Sequence, residues 1–310
     1  MMFTKETFYF PSNAPQQQIY AVRYIPQGEI KAILQISHGM VEFVERYENF
    51  AAYLTDLGFL VVGNDHLGHG YSVATKDDYG YFTDKNGNDM VLEDLHKLTQ
   101  ITKERYPNLP YFLLGHSMGS FYARQYLCKY GNELSGAIIM GTGHQASLLV
   151  KSGLFLTKTI AKFKGWHYRS NFINNIAFGS YNKKFQPART SKDWLTKDES
   201  VVDRYLAEER SRFIFTLNGY YNMFYGINLL HNQSFLNQMP KDLPVFFVSG
   251  SDDPVGEFTK GVRKAIKTFE VVGMKHISHK FYPNDRHEIL NETDRDLVYH
   301  DLAQWLLNLI

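Results

Sequence analysis

The stretch Leu113–Phe121 reads LLGHSMGSF and takes a short apolar run into a serine flanked by glycines. The apolar run, YFLLG at 111–115, is typical of a buried strand, and the residues from Met118 onward look helical. Ser117 therefore lies at a predicted strand–helix junction. The pattern G-x-S-x-G at such a junction is the nucleophile elbow, a tight and strained turn that presents the serine hydroxyl above the edge of a sheet. Glycine is needed on both sides because side chains there would collide with the neighbouring strand and helix.

Predicted strands and helices alternate on both sides of this turn. Helices are expected near 47–57, 89–106, 118–134, 259–272 and 292–309. This alternation predicts an α/β fold with a mostly parallel sheet covered by helices on both faces. The first two strands are close in sequence and are expected to pair antiparallel at one edge. The predicted strands are Thr7–Phe10, Ile19–Ile25, Lys31–Ser37, Phe59–Asp65, Tyr111–Gly115, Gly136–Gly141, Pro244–Gly250 and Lys280–Pro283.

The alternation stops after Gly143. Residues 144–240 contain no clear strand and are rich in aromatic residues at helical spacing. We therefore predict a core made of residues 1–143 and 241–310, interrupted by a helical cap at 144–240. Some apolar side chains of the cap are expected to roof a pocket over the edge of the sheet.

A serine hydroxyl is a weak nucleophile without a base, and the expected order along the chain is serine, acid, histidine. Among the later histidines only His287 lies in a loop just past the last predicted strand, where ligands bind at the edge of a parallel sheet. The acid is expected after the preceding strand, in VSGSDDPVG, where the spacing from Gly250 selects Asp253. Its neighbour Asp252 is the alternative.

Two backbone N–H groups are expected to stabilise the negative charge that develops on an attacked carbonyl oxygen. The Met118 N–H lies at the start of the helix that follows Ser117. The second donor is expected from the loop after the third strand, where Met40 follows the dipeptide His38-Gly39. These two N–H groups would form the oxyanion hole.

Composition narrows the function classes. Lys plus Arg number 33 and Asp plus Glu number 32 among 310 residues, so no basic surface for nucleic acid is expected. The single cysteine, Cys128, excludes an internal disulfide and suits a reducing compartment. The N-terminal stretch MMFTKETFYFPSN lacks a signal-peptide pattern, and no segment approaches the roughly 20 apolar residues of a membrane span. A soluble cytoplasmic protein is therefore expected.

His66 and His69 in NDHLGHGYS raise the alternative of a metal pair. The glycines place them in a loop, and no third ligand stands nearby in the sequence, so a packed turn is the simpler interpretation. Neither a metal nor an organic cofactor is expected.

Six stretches together resemble the monoglyceride lipase-like and lysophospholipase-like group of the α/β-hydrolase family, also labelled serine aminopeptidase-like. They are SHGMVEFVERYENFAAYLTDLGF, NDHLGHGYS, LLGHSMGSF, FGSYNKKFQPARTSKDWLTKD, VSGSDDPVG and FYPNDRHEILNE, and the resemblance covers nearly the whole chain. It implies an eight-stranded sheet, a helical cap and hydrolysis of carboxylic esters with an acyl chain. It also implies that Ser117 is the nucleophile, Asp253 the acid, His287 the base, and Met40 and Met118 the backbone donors.

The chain departs from the family pattern at two places. The oxyanion loop of the family commonly reads H-G-x-G-E-H, whereas Val41 and Phe43 here replace the second glycine and the final histidine. The cap often carries D-P-x-C-G-F, and this chain has EERSRF at 208–213 instead.

Other functions stay open from the sequence. An amidase or aminopeptidase could use the same triad, with Glu208 or Glu209 of the cap holding a substrate amine. A haloperoxidase-like or C–C-bond hydrolase, and a non-catalytic ligand-binding homologue, share the fold. The expected partner is a small-molecule acyl ester, with transient contact between the cap and a membrane surface. Neither nucleic acid nor an obligate protein partner is expected.

Overall fold

The structure is a computed structural model that describes residues 3–310; Met1 and Met2, which begin the predicted core and the N-terminal stretch considered above, lie outside it. Within the described residues, eight strands form one sheet: β1 (Phe3–Pro11), β2 (Gln18–Pro26), β3 (Ala32–Ser37), β4 (Phe59–Asn64), β5 (Tyr111–His116), β6 (Gly136–Met140), β7 (Val245–Gly250) and β8 (Ile277–Tyr282). The α-helices are α1 (Glu48–Thr55), α2 (Gly87–Arg105), α3 (Met118–Tyr130), α4 (Ser147–Lys164), α5 (Asn171–Phe178), α6 (Glu199–Ala207), α7 (Leu217–Leu229), α8 (Gln233–Leu236), α9 (Lys260–Val271) and α10 (Arg295–Leu307).

The strands lie in the order β1-β2-β4-β3-β5-β6-β7-β8. β1 pairs antiparallel with β2, and β2 pairs antiparallel with β4. Every other neighbouring pair is parallel. The α/β fold with a mostly parallel, eight-stranded sheet is confirmed, and so is the antiparallel pair at its edge.

The central strands are buried on both faces of the sheet. Successive residues of β5 pack into different clusters, Leu113 into one core and Leu114 into the other. β3 shows the same alternation, with Ile33 and Leu34 on opposite sides. Because both faces are covered, the sequence of these strands is a continuous apolar run rather than an alternation of polar and apolar residues.

Residues 141–244, between β6 and β7, contain α4–α8 and no strand. α4 packs along α7, and α7 also contacts α2 and α3. The inserted segment thus lies against α2 and α3, which are helices of the α/β layers around the sheet. The division into a core and a cap at 144–240 stays a prediction.

The two edge strands were predicted too short. β1 begins at Phe3 rather than Thr7, and β8 begins at Ile277 rather than Lys280. Both strands carry exposed polar residues, since an edge strand has solvated surfaces, and those residues hide the strand pattern.

No helix within residues 3–310 combines the length and the apolar character that crossing a membrane requires.

Candidate active site

Ser117 lies at the junction between β5 and α3. Its backbone has φ +53° and ψ −119°, in a region that residues with side chains rarely adopt. The Ser117 N–H donates to the Met140 carbonyl of β6 at 3.0 Å. The turn is strained, and its neighbours hold it in place.

The two flanking glycines allow close packing around this turn. A Cβ on Gly115 would overlap the Gly119 carbonyl and lie 2.6 Å from the Ala123 Cβ. A Cβ on Gly119 would overlap the carbonyls of Ser37 and His38, which end β3 and begin the next loop. The start of α3 therefore packs directly on the loop after β3.

His287 and Asp253 form a hydrogen-bonded pair beside the sheet edge. Nδ1 of His287 lies 2.9 Å from Oδ1 of Asp253, and both side chains are buried. The Asp253 carboxylate also accepts from the Val255 N–H at 2.8 Å and from the Ser249 hydroxyl at 3.3 Å. These donors orient the carboxylate, which in turn orients the imidazole.

The side chain of Asp252, the alternative acid, binds a lysine and not the candidate base. Its carboxylate pairs with the Lys184 ammonium at 2.6 Å on the partly exposed side of the loop. Its contacts do not include His287.

A cavity of about 710 Å³ opens over this edge of the sheet. It brings together Ser117, Met118 and His287 with Gly39 and Met40 from the loop after β3. Asp253 lies behind His287 and does not reach the cavity wall. The inserted segment supplies a largely apolar wall that includes Leu149, Val150, Leu156, Ile173, Met223 and Phe224.

Glu208 and Glu209, which the sequence suggested as amine ligands, do not line this cavity. Glu208 pairs with Arg210 at 3.0 Å, and Glu209 pairs with Lys76 at 2.5 Å. Neither carboxylate is therefore available to a substrate amine in the cavity.

Val41 adopts a left-handed backbone, with φ +57°, at the position where the family commonly has glycine. This conformation is strained for a β-branched residue. Two contacts hold the loop: the Tyr205 hydroxyl donates to the Val41 carbonyl at 3.0 Å, and Glu42 accepts from the Gly39 N–H at 2.5 Å. Gly39 lies against Ser117, because a Cβ on Gly39 would be 3.0 Å from the Ser117 Cβ.

The two departures from the family pattern contact each other. Arg210, within EERSRF at 208–213, stacks its guanidinium 3.7 Å from the centroid of the Phe43 ring. The same guanidinium pairs with Glu45 at 3.2 Å and with Glu208. A planar guanidinium is suited to stack on an aromatic face while it binds carboxylates. The contact fastens the inserted segment to the loop after β3.

A buried polar network in the wall of the cavity was missed from the sequence. Arg46 donates to Glu42 at 2.9 Å and to both oxygens of Glu288, at 2.8 and 2.7 Å. Glu42 also accepts from the Tyr47 hydroxyl at 2.9 Å and lies 3.0 Å from His116 Nδ1. The available signals in the sequence were Glu42 and Arg46, four residues apart, and Glu288 directly after the candidate base.

The charges of this network stabilise one another. Burial raises the pKa of Glu42, but His116 and Arg46 outweigh burial and hold that pKa well below its usual range. Burial lowers the pKa of His116, but the hydrogen bond to Glu42 raises it above its ordinary value. The network joins the loop after β3, the residue before Ser117 and the residue after His287.

His66 and His69 belong to a packed cluster with His38. The rings of His38 and His66 are 4.1 Å apart, and those of His38 and His69 are 5.2 Å apart. Burial lowers the pKa of His38 to about 4 and that of His69 to about 3, so these rings are neutral. His66 Nε2 contacts the His38 carbonyl at 3.1 Å, and His69 Nδ1 contacts the Leu67 carbonyl at 3.0 Å, which fits a packed turn.

The substitution Arg46→Met tests the network. We expect it to lower the free energy of unfolding by about 3–5 kcal/mol, because two buried carboxylates lose their cation. Urea unfolding followed by tryptophan fluorescence measures the change. Lys267→Met removes an exposed pair with Glu270 (3.0 Å) and is expected to cost less than about 1 kcal/mol. Equally small effects would contradict a stabilising role for Arg46.

The chain is similar to known proteins both in sequence and in fold. The family described as "Hydrolase_4: Serine aminopeptidase, S33" matches residues 28–294. The human monoglyceride lipase is 27% identical over 321 aligned positions, which cover 95% of this chain and 88% of that protein. A monoacylglycerol lipase of Mycolicibacterium smegmatis is 24% identical over 92% of this chain and 91% of its own length.

Two solved structures share the fold over the whole chain. A thermostable carboxyl esterase from Bacillus coagulans, in complex with glycerol, superposes with a TM-score of 0.91 at 27% identity, over 99% of both chains. A soluble variant of the Saccharomyces cerevisiae monoglyceride lipase, bound to a substrate analog, has a TM-score of 0.76 at 21% identity over 99% of this chain and 97% of that one. The chain therefore belongs to the Hydrolase_4 family, serine aminopeptidase S33, and is an α/β-hydrolase enzyme of the monoglyceride lipase and carboxylesterase type.

Proposed function

We propose that the protein hydrolyses carboxylic esters with an acyl chain, as a monoacylglycerol lipase, lysophospholipase or carboxylesterase does, through a Ser117–His287–Asp253 triad. The observation that carries this proposal is the shared cavity: the strained Ser117 and the His287 of the buried pair with Asp253 both line one largely apolar cavity. The relatives that are named monoglyceride lipases support the same chemistry.

In the proposed reaction His287 accepts the proton of the Ser117 hydroxyl as its oxygen attacks the ester carbonyl. Asp253 holds the imidazole in the required tautomer and stabilises the imidazolium. His287 then protonates the leaving alcohol, and water hydrolyses the acyl-enzyme through the same groups.

The N–H groups of Met40 and Met118 are the proposed donors to the oxyanion. Met118 is the first residue of α3, where backbone N–H groups lack acceptors within the helix and the helix dipole favours negative charge. Met40 lies in the loop that Glu42 and Tyr205 hold against Ser117. Two fixed donors in a largely apolar cavity suit an oxyanion because they need no reorganisation during the reaction.

The largely apolar wall from the inserted segment favours an acyl chain in the cavity. We therefore propose that residues 144–240 act as the cap.

An amidase or aminopeptidase that binds a substrate amine has less support than an esterase. The carboxylates that line the cavity, Glu42 and Glu288, already bind Arg46.

Two neighbouring aspartates provide a matched test of the triad. Asp253→Asn is expected to lower kcat for p-nitrophenyl butyrate by about 10⁴, because an amide favours the wrong tautomer of His287. Asp252→Asn removes the same charge from the adjacent residue, which does not contact His287, and is expected to leave kcat unchanged. Steady-state kinetics on both purified variants measures the difference. A large loss in Asp252→Asn, or full activity in Asp253→Asn, would exclude this assignment.

We also propose that the cap contacts a membrane surface around the cavity opening. Leu149 and Ile176 are exposed and also line the cavity, so its opening is apolar. α4 adds lysines that favour an anionic lipid surface. The exposed apolar residues of α4 and α5 are Leu148, Leu149, Phe155, Phe163, Phe172 and Ile176, and the lysines are Lys151, Lys158, Lys162 and Lys164.

Replacing two exposed aromatics tests this contact. The double substitution Phe155→Ser and Phe163→Ser is expected to weaken sedimentation with anionic vesicles at least about tenfold, because two aromatic side chains no longer leave water. Activity on a water-soluble short ester should not change. Val271→Ser, on the exposed face of α9, is the control and should bind vesicles like the wild type. Equal vesicle binding by all three proteins would contradict a cap-mediated contact.

The reducing compartment stays a prediction from the sequence. Cys128 is buried and free, and burial raises the pKa of its thiol to about 12. Such a thiol is a packing residue rather than a reactive one.

A further inference from the structure

The charged side chains that line the cavity differ in their partners. Glu42 and Glu288 both bind Arg46, so neither is free for a substrate cation. Lys192 lines the same cavity, and within residues 3–310 its ammonium forms neither an ion pair nor a hydrogen bond. The exposed Arg212 adds a second positive charge to the lining. The lining of the cavity therefore includes two cationic side chains, Lys192 and Arg212, that have no ion-pair partner within residues 3–310.

The Lys192 ammonium faces two aromatic rings. Its Nζ lies 5.7 Å from the Tyr205 ring centroid and 6.0 Å from that of Trp194. Burial lowers the pKa of Lys192, and the carboxylate of Glu288 acts in the opposite direction. A partly desolvated ammonium without a hydrogen-bond acceptor costs free energy, and a bound anion would remove that cost.

A tight turn fixes the backbone of Lys192. The Lys192 N–H donates to the Thr190 hydroxyl oxygen at 3.1 Å, and the Lys192 carbonyl accepts from the Leu195 N–H at 2.9 Å. The Asp193 carboxylate closes the turn by accepting from the N–H groups of Arg189 at 2.6 Å and of Thr190 at 3.1 Å. The turn fixes the point from which the Lys192 side chain extends, so less conformational freedom is lost when its ammonium binds a ligand.

Of the two rings that Lys192 faces, one contacts the proposed base and the other contacts the loop that carries Met40. The Trp194 ring packs on His287 with centroids 5.1 Å apart. The Tyr205 hydroxyl binds the Val41 carbonyl in the loop that carries Met40. An anion held by Lys192 would thus lie on the side of the cavity where the base protonates the leaving alcohol.

We propose that Lys192 binds an anionic phosphate on the alcohol portion of the ester, so that the enzyme prefers acyl esters with a phosphate-bearing alcohol to neutral esters of the same acyl chain. The inference rests on the proposed ester hydrolysis at Ser117. Lys192 acts as a specificity residue and takes no part in the chemical step.

The test compares 1-octanoylglycerol with 1-octanoylglycerol 3-phosphate. The wild type is expected to show the higher kcat/KM for the phosphate ester. The KM for the phosphate ester divided by the KM for the neutral ester gives the ratio to compare. Lys192→Met should raise this ratio about tenfold, because one charge-assisted hydrogen bond to the phosphate is lost. Lys192→Arg should recover most of the wild-type ratio. Lys183→Met removes an exposed cap lysine outside the cavity lining and should leave the ratio unchanged.

Inhibition of the wild type gives a readout that needs no variant. Glycerol 3-phosphate is expected to inhibit hydrolysis of the neutral ester competitively and more strongly than glycerol, and Lys192→Met should remove that difference. Should Lys192→Met fail to fold, Lys192→Gln takes its place.

Three outcomes would overturn the assignment: equal KM changes for the two esters, a wild-type preference for the neutral ester, or equal inhibition by glycerol and glycerol 3-phosphate. If neither ester is hydrolysed, the proposed function fails, and the inference fails with it. If the neutral ester is hydrolysed but the enzyme does not discriminate between the two esters, the proposed function stands and only the role of Lys192 is contradicted.

Discussion

The left-handed backbone of Ser117 is the constraint on which the rest of the site depends. It turns the chain from β5 into α3 within one residue. Gly119 then lets the first turn of α3 meet the carbonyls of Ser37 and His38. This packing sets the position of α3 relative to the loop after β3, and hence of the two proposed N–H donors relative to each other. Any side chain at Gly119 would push these elements apart.

The inserted segment does more than cover the cavity. Tyr205 and Arg210 hold the loop after β3, and Trp194 packs on His287. Arg46 joins the carboxylate of Glu42, in the loop after β3, to that of Glu288, the residue after His287. The strained Val41 is therefore held by contacts from both the core and the inserted segment, which explains how this chain dispenses with the family's second glycine.

Features that depend on local spacing could be predicted from the sequence, and features that depend on distant partners could not. The elbow at Ser117 and the alternation of elements are local, and the fold followed from them. The partners Arg46 and Glu288 are 242 residues apart, so the local spacing of Glu42 and Arg46 could not show that Glu288 joins them. Phe43 and EERSRF each looked like an isolated departure, although they are two halves of one contact. The sequence likewise could not show that the Lys192 ammonium lacks an ion pair or a hydrogen bond within residues 3–310, because that depends on all the elements packed around it.

The most direct measurement of the central claim is the intact mass of the protein after reaction with a fluorophosphonate, followed by mapping of the labelled peptide. The account predicts one adduct per chain, located on Ser117, and none on a folded Ser117→Ala variant. An adduct that persists in Ser117→Ala, or a folded wild type that takes no label, would contradict the assignment of Ser117 as the nucleophile.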